Sequence, residues 1–307
     1  MSRLGVPTKG SKNAIAKWVV EQLPSAESFV DIFCGGCSIT HAALLSGKYK
    51  SFIINDIDER MPQFFIDSIY GKYTTQNQTE WISREDFFRR IDEPYISCCW
   101  SFGNDGVTYI YGREIEPYKK ALHNACFFRD IGLFANFGID VPTFDGIEGA
   151  FERYRKYKMF FRDKMNTLTS LESLSRLKNI ERIQSLQSLQ SLQSFVLDYQ
   201  EVEIPDDAII YADPPYANTK CGRYSGFDYK RFYEWADEQQ NIFISEYWMP
   251  DNFIPYSYVD KVVLSAAKTN SIYAREMIYT NRRTFERLSD KSKELVWLSF
   301  AEQISLF

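Results

Sequence analysis

A chain of 307 residues that is 45% hydrophobic has room for one large or two moderate domains around a sizeable core. Six cysteines without framework spacing and only two histidines exclude a disulfide-built scaffold and a four-ligand zinc site. No apolar run approaches a membrane span, no apolar signal core opens the chain, and the net charge of −5 argues against nucleic acid unless positive charge is concentrated somewhere.

In chain order, the pattern predicts a helix over 15–23, a strand over 28–33, a glycine turn, a helix over 38–45, a strand over 52–55 and a helix over 58–70. Apolar runs at 95–100 and 208–212 read as strands flanking a long insertion that is mainly helical by pattern. The end of the insertion repeats Leu-Gln-Ser three times over 186–194 and keeps a leucine every third residue, so a helix is expected there rather than a linker. A helix over 228–239 follows, then apolar runs at 242–248, 258–264 and 276–280, the last two as a closing hairpin. Short strands alternating with helices predict an α/β fold. Its catalytic domain is expected from residues 1–100 and 195–307, with 101–194 as an inserted region.

Two motifs carry chemistry. Residues 208–216 are an apolar run ending in Asp213, Pro214, Pro215 and Tyr216. Consecutive prolines cannot donate to a sheet ladder, so the strand stops at a carboxyl edge, where open α/β sheets place ligands. The group suits a flat base with an exocyclic amine: the Asp213 carboxylate accepts one N–H, the Pro214 carbonyl the other, and the Tyr216 ring stacks on the base. Upstream, residues 28–40 read as strand, turn and helix start, with Gly35 and Gly36 allowing close backbone approach and the helix offering free N–H groups. Asp56, at the end of the next strand, can accept both hydroxyls of a ribose.

Positive charge is indeed concentrated. Residues 151–184 hold nine Lys or Arg against four acids, with Tyr154, Tyr157, Phe160 and Phe161 interleaved. Bases neutralise phosphates, and aromatics stack where a base leaves the duplex. A helix with a solvated basic face is the blander alternative.

With these residues in view, the chain resembles the Dam-like, D12-class family of adenine-N6 DNA methyltransferases, especially its phage and mobile-element branch, over nearly its whole length. The resemblance implies a Rossmann-like S-adenosylmethionine-dependent methyltransferase sheet with helices on both faces, double-stranded DNA as substrate and 101–194 as the target-recognition region. Asp213, Pro214, Pro215 and Tyr216 match the catalytic motif, and Asp31, Phe33, Gly35 and Gly36 the first cofactor motif. Asp56 matches the ribose acid, Asp198 and Tyr199 the pair holding the cofactor's adenine, and Lys12 the lysine approaching its methionine carboxylate. Arg153, Arg155, Lys156 and Lys158, with Lys220 and Arg223 in the loop after the catalytic motif, are the expected DNA contacts. The phrase Trp100-Ser101-Phe102-Gly103-Asn104 also recurs in phage-type members.

One position departs from the family: Cys37 stands where a third glycine is usual. The resulting Cys34-Gly-Gly-Cys37 has redox spacing, but its usual surroundings are absent and it leaves Asp56 and Asp213 unexplained. Methylation of RNA or of cytosine N4, and a decayed DNA-binding module on the same fold, are the rival readings. Asp213 favours adenine, since Ser is commoner there in cytosine enzymes. The resemblance implies no metal. A monomer in the cytoplasm of a bacterium or phage-infected cell is expected. The C-terminal Gln303, Leu306 and Phe307 resemble the peptide by which bacterial DNA enzymes dock on the replication sliding clamp.

Overall fold

Apolar, β-branched and aromatic runs of four or five residues at Ser28–Asp31 (β1), Ile209–Ala212 (β4) and Ile242–Glu246 (β5) are buried along their whole length, as strands covered on both faces must be. They form the centre of a sheet in a computed structural model that describes residues 4–73, 79–188, 191–216, 226–263 and 272–288. Ser51–Asn55 (β2), Leu192–Phe195 (β3), Phe253–Val263 (β6) and Ile272–Asn281 (β7) complete it in the order β3-β2-β1-β4-β5-β7-β6. The first five strands in that order run parallel; β7 is antiparallel to both β5 and β6. The result is a mixed α/β fold flanked by helices, of the Rossmann-like methyltransferase kind. The closing hairpin expected from the sequence is β6–β7.

From β1 the chain steps outward to β2 and β3, then crosses back to lay β4 on the other side of β1. The order therefore reverses between β1 and β4. In open α/β sheets this is where a crevice opens beyond the carboxyl ends. Val30, Ile210, Ile244 and Met277 project to one face and pack with Phe232 and Ala236 of the helix Tyr229–Glu238. Phe29, one residue out of phase, packs with Tyr49 and Phe52. Ala16–Gln22 (α1), Ser38–Ser46 (α2) and Arg60–Ile69 (α3) match the early helices expected.

The described residues group into two compact units. One comprises residue 4, residues 12–62 and the described part of 189–307; the other comprises residues 5–11 and the described part of 63–188. The second unit is mainly helical, with Glu116–Phe127, Ala150–Phe161 and Glu172–Gln184 as its longer helices. No helix among the described residues is long and apolar enough to cross a membrane.

Two expectations are corrected. The run at 95–100 is not a strand but the helix Pro94–Cys99, with Pro94 in its first turn, where a missing N–H costs nothing and φ is preset. Nor is the Leu-Gln-Ser tract a helix. The helix before it stops at Gln184, a 3-10 turn covers Ser185–Ser188, and Leu192–Phe195 pairs in parallel with β2 as the edge strand. Ladder hydrogen bonds to β2 outweigh the local three-residue repeat there.

Candidate active site

Asp31 ends β1 and Ala212 ends β4, in adjacent register, so the glycine loop and the Asp213–Tyr216 segment leave the sheet side by side at its switch point. Asn55, buried at the end of β2, ties this edge together. Its amide donates to the carbonyls of Ile32 (3.2 Å) and Leu197 (3.1 Å), and its oxygen accepts from Leu197 N (3.0 Å). Sequence reasoning missed Asn55 because a polar strand end is a common feature.

The glycine loop is held by the acid at the end of β2. Gly35 N donates to Asp56 Oδ2 at 2.8 Å, and Asp58 N to Asp56 Oδ1 at 2.9 Å. Gly35 has φ +45° and Cys37, which caps the N-terminus of α2, has φ +55°. Both lie in the left-handed region, where only glycine sits without penalty. That is the physical reason a glycine suits position 37. Burial pushes the Cys34 and Cys37 thiols above their ordinary pKa and keeps them protonated, against thiolate redox chemistry.

Asp31 lies beneath the loop, fully buried, with Thr40 Oγ1 donating to its Oδ2 at 2.6 Å. Burial pushes its carboxyl up to about 7; the Thr40 hydrogen bond opposes this, and the charges of Asp213 and Asp56 add to it. Asp31 thus ties the end of β1 to α2 through Thr40. Phe33 packs among Tyr199, Phe227 and Phe232 at ring separations of 5.4–5.8 Å. The Tyr199 hydroxyl is buried without a hydrogen-bond partner, an orphan polar atom of the kind a bound ligand satisfies. Asp198, at the exposed edge, is held by Arg231 at 2.9 and 3.2 Å.

The densest cluster surrounds Asp213. Lys12 Nζ, almost wholly buried, lies 3.0 Å from Asp213 Oδ1 and 2.9 Å from Glu276 Oε1, and also donates to the Tyr216 hydroxyl. Tyr216 in turn donates to Glu276 Oε1, and its ring meets Tyr247 edge-on at 4.7 Å. Each of the three ammonium hydrogens therefore has an acceptor inside the cluster. Burial lowers the Lys12 pKa, but Asp213 and Glu276 outweigh it and leave the net value raised. The lysine expected beside the cofactor carboxylate thus stands on the Asp213 and Glu276 carboxylates. Glu276 was seen in the sequence only as a polar residue near the site edge, without a role. Its signal is an acid inside the apolar run of β7. Of the other polar residues near that edge, Glu246 is buried and accepts from Tyr247 N, Arg275 pairs with Asp260, and Lys268 lies outside the described residues.

The expected DNA contacts divide. On the helix Ala150–Phe161, the positions 153, 157 and 161 form one buried stripe. Arg153 is on it: its guanidinium donates to the carbonyls of Cys126 (2.6 Å) and Ile147 (2.8 Å), which removes it from any phosphate-facing set. Tyr157 and Phe161 are core residues, not stacking surfaces. Arg155, Lys156 and Lys158 are exposed on the opposite face, Arg155 paired with Glu152. Lys220 and Arg223, and the C-terminal Gln303, Leu306 and Phe307, lie outside the described residues.

Comparison with curated proteins finds no match. Residues 9–121, which run from before Lys12 through the glycine loop and Asp56, match the family model of the D12 class N6 adenine-specific DNA methyltransferase. That match makes methylation of adenine N6 in DNA, with S-adenosylmethionine as methyl donor, the activity this chain carries.

Proposed function

We propose that Asp213, Pro214 and Tyr216 receive the adenine: the Asp213 carboxylate and the Pro214 carbonyl accept the two N6–H groups, the Tyr216 ring stacks on the base, and Pro215 fixes the turn. The observation that carries this reading is the acceptor group at the switch point between β1 and β4, beside the glycine loop. N6 is paired within a duplex, so the base must leave the helix before Asp213 can reach it. S-adenosylmethionine supplies an electrophilic methyl on a sulfonium that is already a good leaving group. The protein therefore contributes alignment and a tuned amine more than acid–base chemistry. The loop with Phe33, Gly35 and Gly36, the first N–H groups of α2, Asp56, and the orphan hydroxyl of Tyr199 beside Asp198 fit a nucleoside with a charged tail. Lys12 reaches that tail only by exchanging one of its three present acceptors.

Arg155, Lys156 and Lys158 on the second unit, with Lys220 and Arg223, are the proposed phosphate contacts of double-stranded DNA. The enzyme acts as a monomer in the cytoplasm of a bacterium or phage-infected cell, and is of the phage type. Its C-terminus docks on a sliding clamp through Leu306 and Phe307, with Gln303 fixing the register, so that tethering raises its concentration at new DNA. A titration of the host clamp with the intact chain and with Leu306→Ala/Phe307→Ala tests this; equal binding by both removes it. Expression in a methylation-free host, followed by sequencing of the DNA for modified bases, tests the main reading. N6-methyladenine is expected from the intact chain and none from Asp213→Ala; modified bases from that variant, or none from the intact chain, overturn the reading.

A further inference from the structure

Glu276 is a fully buried acid in the middle of β7, the antiparallel strand between β5 and β6. A carboxylate in such a place is costly unless it is paired and hydrogen-bonded. Two of its partners are not ordinary scaffold. One is Lys12, which also holds the Asp213 carboxylate; the other is the hydroxyl of Tyr216, whose ring is the proposed stacking surface. Lys12 donates to Tyr216, Tyr216 donates to Glu276, and Lys12 donates to Glu276, so the three side chains close a ring of hydrogen bonds.

We propose that Glu276 is a positioning residue for methyl transfer: by gripping the Lys12 ammonium and the Tyr216 phenol at one oxygen, it fixes the ring that stacks on the adenine and draws Lys12 partly off Asp213. The proposal rests on the reading of Asp213 and Tyr216 given above. Its physics is a division of charge. Lys12 lies about equally far from two carboxylates, 3.0 and 2.9 Å, so its positive charge is shared between them. Without the Glu276 charge, the ammonium would bind Asp213 alone and weaken that carboxylate as an acceptor for the adenine amine. Without that charge, the Tyr216 phenol would also lose the charge-assisted hydrogen bond that sets its ring orientation. Neither change touches the glycine loop, Asp56 or Tyr199, so those contacts to the cofactor stay intact.

The test is single-turnover methyl transfer from labelled S-adenosylmethionine to genomic DNA of a methylation-free host, using the full chain and the variants Glu276→Gln, Tyr216→Phe and the two combined. Cofactor binding is followed by calorimetry and folding by thermal melting. Glu276→Gln is expected to slow transfer at saturating DNA about 10- to 100-fold, the scale of a small misplacement at a reacting centre, while leaving cofactor affinity within about threefold. Because Glu276 acts partly through the Tyr216 hydroxyl, the double variant should be far less slow than the product of the two single losses. Transfer by the unmodified chain with equal transfer by Glu276→Gln overturns the proposal alone. So does a double variant whose losses simply multiply, or a loss of cofactor binding that accounts for the whole effect. No transfer by the unmodified chain overturns the site reading and this proposal together. Should Glu276→Gln not fold, Tyr216→Phe decides: it keeps the ring and removes only the gripped hydroxyl, and an unchanged rate refutes the grip.

Discussion

Both units of this protein bury cations, and they do so in opposite ways. In the first, Lys12 is buried against two carboxylates and a phenol, at a sheet edge where ligands enter. In the second, Lys119 donates to the Ser170 carbonyl and hydroxyl with Glu172 at 3.5 Å, Arg153 to the carbonyls of Cys126 and Ile147, and Arg176 to the carbonyl of Cys99. The electrostatic result differs in sign. Burial lowers the Lys119 pKa and Glu172 does not restore it, whereas Asp213 and Glu276 more than restore that of Lys12. A cation that ties carbonyls together holds loops to helices. A cation shared between carboxylates leaves charge that chemistry can use.

The largest expected effect breaks the first arrangement. Asp213→Ala should lower the transfer rate by at least about 10²–10³-fold, the cost of removing one preorganised electrostatic partner, with calorimetric cofactor binding preserved. Lys12 then keeps Glu276 and Tyr216 and remains paired. Parallel losses of cofactor binding and rate would instead make Asp213 a scaffold residue like Arg153.

The second arrangement predicts the reverse pattern. Arg153→Met leaves the carbonyls of Cys126 and Ile147 without their donor and should cost about 2–3 kcal/mol of stability, read from denaturant midpoints, while the salt dependence of DNA binding is unchanged. Lys156→Ala/Lys158→Ala should leave stability within about 0.5 kcal/mol and reduce the salt slope of binding by about 2. A reduced slope in Arg153→Met, or none in the lysine pair, would reverse the assignment of the helix faces.

How much of this was legible follows from the kind of signal each residue gives. The strand that stops at Asp213, the glycine turn and the acid Asp56 just past β2 were readable because strand ends, prolines and glycines restrict the backbone locally. The parallel sheet was readable from short apolar runs between helices. The run at 95–100 was not, since six apolar residues have no decisive period and the deciding feature was Pro94. Basic residues on 151–184 gave the helix but not its face, because a buried arginine such as Arg153 looks like the other bases until Tyr157 and Phe161 set the stripe. Lys12 and Glu276 are 264 positions apart in sequence and meet only through the strand order.

A pH effect sharpens the contrast on the sheet edge. Asp31 has its carboxyl raised to about 7 by burial, so the folded state holds a proton that the unfolded chain releases near 3.8. Between those values the folded state binds more protons, and stability falls as pH rises, by at most roughly 1.4 kcal/mol per pH unit from this group. Asp31→Asn keeps an acceptor for Thr40 and should flatten the decline between about pH 4 and 7. An unchanged pH profile of the denaturant midpoint would show that Asp31 is already ionised in the folded protein.

The smallest expected effect concerns Cys37, and its smallness is informative. Its left-handed φ of +55° costs about 1–2 kcal/mol in a residue with a Cβ. Glycine would remove that strain, but would add about 0.5–1 kcal/mol of unfolded-state entropy and empty a buried site worth about 1 kcal/mol. These terms nearly cancel, so Cys37→Gly should leave stability within about 1 kcal/mol of the native chain. Cys37→Val keeps the buried volume but places a β-branched side chain at positive φ, and should cost about 2 kcal/mol or more. Denaturant midpoints of both variants check the balance. If Val is tolerated as well as Gly, the backbone at position 37 is not the constraint, and the glycine usual in the resembling family must answer to contact with the cofactor instead.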